Sequence, residues 1–144
     1  MFLGPNLVSW SSKKQHVISR SSIESKYRAL ALATTEVMWV KGLLTELKIK
    51  IDHTPIMWCD NQGAISLAMN PVYHAKTKHI ELDIHFIREK VQANQIEVNY
   101  VPSEDQAADI FTKALTYGQF SYLRSKLNIF PTQFSLRGDV SICE

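Results

Sequence analysis

The stretch IMWCDNQGAISLAM, residues 56–69, changes pattern at a single carboxylate. Ile56-Met57-Trp58-Cys59 is a short apolar run of the kind that forms a buried strand. After Asp60, residues Ala64, Ile65, Leu67, Ala68 and Met69 recur at spacings that suit a helix. A carboxylate between a strand and a helix has two readings: it caps the helix, or it does chemistry beside the sheet. Spacing alone leaves both open.

Outward from this junction the same alternation continues. Upstream, Gly4-Pro5-Asn6 reads as a turn and residues 7–12 alternate as a strand would. Ser21 and Glu24 form a capping box that opens a helix reaching about Leu47, with Ile23, Tyr27, Leu30, Thr34, Val37, Met38, Leu44 and Leu47 as its apolar stripe. Downstream, a helix is predicted from about Lys78 to Ala93 on Ile80, Ile84, Ile87 and Val91. A strand over residues 96–101 ends at Pro102, which cannot donate to a ladder. Ser103 with Gln106 repeats the capping-box pattern ahead of Ala107, Ile110, Phe111 and Ala114, and a last helix covers Phe120 to Leu127. Strands alternating with helices make an α/β layered fold.

The 144 residues suffice for one domain, read here as residues 1–130, with residues 131–144 as a loosely ordered tail lacking periodicity. No apolar stretch is long enough to span a bilayer, and Met1-Phe2-Leu3-Gly4-Pro5 lacks the pattern of a secretory signal. Cys59 and Cys143 suggest neither a disulfide framework nor a zinc site. The expected setting is intracellular, cytoplasmic or nuclear. The net charge of +2 is too small to imply a nucleic-acid partner. Its distribution is uneven, because Lys13, Lys14, His16 and Arg20 precede the first acid and Lys76, Lys78 and His79 form a second cluster. Composition alone favours solvated faces for both.

Three carboxylates fall at element junctions: Glu24, Asp60 and Asp109. Such positions are where α/β sheets place their sites, and hard divalent ions favour carboxylate oxygen. Glu24 has a simpler explanation as a cap, although at about 100° per residue it lines up with Ala31 beside the apolar stripe. Asp109 lies opposite the stripe of Ala107, Ile110 and Phe111, so amphipathy places it in water. Periodicity does not assemble a three-acid site.

Taken together and in order, LVSWSSKKQ, SRSSIESKYRAL, WCDNQGAISLA, AKTKHIELDIHFIREKV and VPSEDQAADIFTKAL resemble the ribonuclease H domain of the Pol polyprotein of copia-type LTR retrotransposons, over about residues 2–130. The resemblance implies a ribonuclease H-like fold, a mixed sheet flanked by helices. It implies hydrolysis of the RNA strand of RNA–DNA hybrids with two magnesium ions, and an upstream reverse transcriptase domain as partner. Carried onto this chain, Glu24, Asp60 and Asp109 are the catalytic and metal-holding positions. Asn61 and Gln62 are the positions that touch the hybrid, with simple helix-start polarity as the alternative for each. His79 and Asp83 are four apart, a spacing that allows a pair or a shared metal, but a solvated helix face is the favoured account. His85, beside Ile84 and Ile87, reads as a packed histidine.

The family's first catalytic acid, an aspartate on a first strand, has no counterpart, since no Asp or Glu precedes Glu24. The expectation is a chain lacking the first strand and most of the second, with impaired hydrolysis and with unpaired strand edges open to self-association. A catalytically silent nucleic-acid- or protein-binding remnant is the alternative. An integrase core ranks behind both, because it ends on a helical glutamate after two strand-borne aspartates.

Overall fold

The computed structural model describes residues 1–12, 19, 21–70 and 80–130. The basic clusters of Lys13, Lys14, His16 and Arg20 and of Lys76, Lys78 and His79, and the tail from residue 131, lie outside the described residues. The protein is α/β. Its elements are β1 (Phe2–Leu3), β2 (Asn6–Leu7), α1 (Ser22–Glu46), β3 (Ile56–Cys59), α2 (Gln62–Met69), α3 (Glu81–Gln92), β4 (Glu97–Tyr100) and α4 (Tyr117–Lys126). Single 3-10 turns occupy Ser103–Asp105 and Ala107–Phe111. The chain divides into two compact units, Ser11–Gln106 and Met1–Trp10 with the chain from Ala107 onward.

The larger unit is built on β3 and β4, which pair in parallel with Met57 opposite Val98 and Cys59 opposite Tyr100. Parallel strands need a long crossover, and α2 and α3 lie within it. One face of the ladder is buried with α1, α2 and α3 around Tyr27, Leu30, Met57, Ala64, Leu67, Ile84, Ile87 and Val98. The opposite face leaves Ile56 and Trp58 exposed. Helix α1 starts where expected: the Ser21 hydroxyl accepts from the Glu24 amide at 3.1 Å. The stripe Tyr27, Leu30, Thr34 and Leu44 is buried, whereas Ile23 and Leu47 at its two ends are exposed. His85 is exposed, not packed; it falls between the buried Ile84 and Ile87 in sequence but on another side of α3.

In the smaller unit, β1 and β2 form a minimal antiparallel hairpin around Gly4, whose φ of +60° suits a residue without a Cβ. The strand expected over residues 7–12 stops at Leu7. Val8 and Trp10 are exposed, so this alternating pattern has no apolar face to bury against. Leu123 and Leu127 are the buried residues of the last helix, and Asn128 Nδ2 donates to the Pro5 carbonyl at 2.9 Å. The helix expected after Ser103 is replaced by the two 3-10 turns, and Gln106 donates its side-chain amide to the Trp58 carbonyl.

Three helices end alike. Lys48, Asn94 and Asn128 have φ of 58°, 53° and 55°, and each returns its amide to the carbonyl three residues back. The next residues, Ile49, Gln95 and Ile129, donate to carbonyls five residues back, at Leu44, Lys90 and Arg124, which completes a Schellman termination. Asparagine tolerates the left-handed region better than lysine does. Lys48→Gly is therefore expected to raise unfolding stability by about 0.5–1 kcal/mol in denaturant titration, and Asn128→Gly by less.

The tightest backbone approach is between α1 and α2. A Cβ on Gly63 would sit 2.8 Å from Ile23 Cδ1 and 3.2 Å from Asn61 Oδ1. Gly63→Ala gains about 1 kcal/mol of helix propensity but meets Ile23. The expected outcome is a neutral or mildly destabilised single variant. The same change made in an Ile23→Ala background should be stabilising, a non-additivity readable in a thermal-unfolding cycle.

Candidate functional site

A strand end is where a backbone leaves its ladder and turns, and here Asp60 occupies that turn. The residue after it, Asn61, caps α2: its side-chain oxygen accepts from the Ala64 amide at 3.0 Å. Asp60 is thus released from the capping role that spacing alone left open to it. Its carboxylate is instead turned into the unit, with the side chain 8% exposed. The Lys26 ammonium reaches it from α1, 2.9 Å from Oδ1 and 3.0 Å from Oδ2. Only the Oδ2 contact is aligned as a hydrogen bond, so Oδ1 is buried in ionic contact but without an aligned donor.

Glu24 stands one turn into α1, two residues before Lys26. It is 2% exposed, in line with the buried Ala31, as the helical projection predicts. Its Oε1 accepts from Arg28 Nη2 at 2.9 Å, one helical turn on. The same first turn of α1 lies on the start of α2, where Ile23 meets Gly63. Glu24 and Asp60 therefore belong to one unit and to two elements packed together at their N-terminal turns.

Asp109 belongs to the other unit. Against the expectation from amphipathy it is buried, at 5% exposure, and its Oδ2 accepts from Lys113 Nζ at 2.7 Å. The physical reason is the 3-10 turn over Ala107–Phe111, which has about three residues per turn, so a projection at 100° per residue does not describe its faces. Among the described residues no group of three or more His, Cys, Asp or Glu side chains is arranged to hold a metal ion. Of the two residues expected to touch substrate, Gln62 is exposed and Asn61 is half-buried and engaged as the cap.

Two neighbouring groups are shifted by burial. The Cys59 thiol, in the buried end of β3, is pushed up by desolvation, with the Asp60 charge adding to the effect. The Tyr27 hydroxyl is pushed well above the ordinary phenol range, again chiefly by desolvation, and has no hydrogen-bond partner among the described residues. Neither is suited to act as a nucleophile or base near neutral pH. The chemistry available to this site is that of its carboxylates.

The cations were the part missing from the expected site. Glu24–Arg28, on α1, and Asp109–Lys113 are both i,i+4 pairs, a spacing visible in sequence. Lys26–Asp60 joins residues 34 apart and carries no such signal.

The chain is similar to three retrovirus-related Pol polyproteins of transposons. It is 43% identical over 142 residues to that of transposon RE2 of Arabidopsis thaliana, covering 99% of this chain and 10% of the relative. To that of RE1, also of Arabidopsis thaliana, it is 44% identical over 129 residues, 90% of this chain and 9% of the relative. To that of TNT 1-94 of Nicotiana tabacum it is 35% identical over 113 residues, 78% of this chain and 8% of the relative. No family model matches the chain, and no solved structure matches it. The chain spans about a tenth of the length of these curated relatives. No described helix is long and apolar enough to cross a membrane. Over most of its length, this chain is homologous to Pol polyproteins of copia-type retrotransposons.

Proposed function

We propose that this chain is the ribonuclease H-type segment of a retrotransposon Pol polyprotein, directed at the RNA strand of RNA–DNA hybrids. The observation that carries the reading is Asp60. It is a carboxylate turned inward at a strand end, freed from capping by Asn61, in a chain homologous to transposon Pol polyproteins. Glu24 supplies a second buried carboxylate from the helix packed against that strand end.

Carboxylate oxygens suit magnesium, and Asp60 Oδ1, in ionic contact with Lys26 but without an aligned donor, is an oxygen of the kind a hard cation takes. Glu24 and Asp60 would hold such an ion; Asp109, the third acid that the resemblance names, belongs to the other unit. When bound, the metal supplies an activated water and stabilises the leaving oxygen of phosphodiester cleavage. The chain's own residues do the rest. Arg28 fixes the Glu24 carboxylate, and the buried end of β3 holds Asp60 at the turn. Gln62, exposed at the start of α2, is placed to meet a minor-groove edge, where a hybrid offers shape and 2′-hydroxyls to short polar groups.

A second reading has its own observation. Each of the three acids already carries a cationic side chain, and no three-ligand group is present among the described residues. That arrangement favours a catalytically silent module that retains hybrid or protein binding.

The experiment is cleavage of a labelled RNA–DNA hybrid by the purified chain in magnesium. The nuclease reading predicts RNA-strand cleavage that falls at least about 100-fold in Asp60→Asn, the scale expected when a group positioning the reacting atoms is lost. Hybrid affinity without cleavage, weakening steeply with salt, establishes the silent module instead. Neither cleavage nor affinity would overturn both.

A further inference from the structure

We infer that Lys26 is an internal counter-ion occupying the cation position on Asp60, and that a divalent ion enters this site only by displacing it. The inference rests on the nuclease reading of Asp60 and deepens it.

The geometry comes from α1. With Ser21 fixing the first turn, Glu24 and Lys26 lie about 200° apart around the helix axis. Glu24 faces the core, and the longer lysine reaches across to the end of β3. The ammonium lies nearly equidistant from the two carboxylate oxygens, at 2.9 Å and 3.0 Å. Only one of these contacts is aligned as a hydrogen bond, so the charge sits between the oxygens much as a bound ion would. A carboxylate that is 8% exposed needs a positive partner, and lysine supplies one without a metal.

The two pairs of this unit differ in how readily the cation can leave. Arg28 is 17% exposed, is planar and forked, and is tied to Glu24 on its own helix. Lys26 is 36% exposed on a flexible stem and bridges two elements, so its ammonium can withdraw into water without moving either one. Divalent binding at Asp60 thus exchanges one cation for another while the Glu24–Arg28 pair stays. The consequence is a metal affinity set partly by the lysine.

The test is Mn2+ titration of the full chain, with free ion read by electron paramagnetic resonance. The variants are Lys26→Met, which keeps the apolar stem, Lys26→Ala, and Lys26→Arg. Removing the charge should tighten Mn2+ binding about three- to tenfold, while Lys26→Arg stays at or below wild-type affinity. Adding Asp60→Asn to Lys26→Met should abolish the gain. Thermal unfolding gives a second readout: Mg2+ should raise the midpoint of Lys26→Met more than wild type, and Na+ at matched ionic strength should not. Equal Mn2+ affinity in wild type and both uncharged variants overturns the inference and leaves the nuclease reading standing. Absence of Asp60-dependent Mn2+ binding in every variant overturns the two together. If the uncharged variants fold only on addition of Mn2+, displacement is supported; if they stay unfolded in its presence, it is overturned.

Discussion

Burying an ionised carboxylate is expensive unless a positive charge comes with it. Glu24, Asp60 and Asp109 are buried or nearly so, and each is matched by a cation of this chain: Arg28, Lys26 and Lys113. Two of these pairs are local, four residues apart in sequence. The third, Lys26 with Asp60, crosses from α1 to the end of β3, and it is the ionic contact that ties the first turn of the long helix to the strand-to-helix junction. Ile23 against Gly63 supplies the apolar part of the same seating. A Cβ at Gly63 would meet the end of the Ile23 side chain. The candidate site is therefore an outcome of how α1 docks.

Much of this larger unit was legible in the sequence. The Ser21 cap, the buried line of Tyr27, Leu30 and Thr34, the short strand at Ile56–Cys59 and the alternating strand ending near Pro102 all follow from local pattern. These elements are strongly periodic or clearly punctuated; the apolar run at Ile56–Cys59 nevertheless buries only Met57 and Cys59 and leaves Ile56 and Trp58 exposed. Glu24 shows the same logic at a candidate position, since its alignment with Ala31 agrees with its burial. The reading failed where the element type was wrong. The segment after Ser103 has the letters of a capping box but forms 3-10 turns, and so Asp109 is buried where an α-helical projection exposes it. His85 was misplaced for the opposite reason: proximity to Ile84 and Ile87 in sequence is not proximity around a helix.

What no local pattern contains is the partner of Asp60. A lysine 34 residues away is visible only once α1, β3 and α2 are packed. The choice between Asp60 and Asn61 as the cap of α2 was equally closed to spacing, because both residue types cap helices well. The structure assigns the cap to Asn61, and that assignment is what leaves the Asp60 carboxylate to pair with Lys26. Homology to transposon Pol polyproteins supplies the context in which a carboxylate at a strand end acquires a nucleic-acid reading.

The claim beneath the counter-ion inference is that Lys26 and Asp60 are energetically coupled across two elements. A double-mutant thermal-unfolding cycle of Lys26→Met, Asp60→Asn and the double variant, in metal-free buffer, measures that coupling directly. The account predicts a favourable interaction of at least about 0.5 kcal/mol, with Lys26→Met costing more in the presence of Asp60 than in its absence. Strict additivity of the two single changes would contradict it.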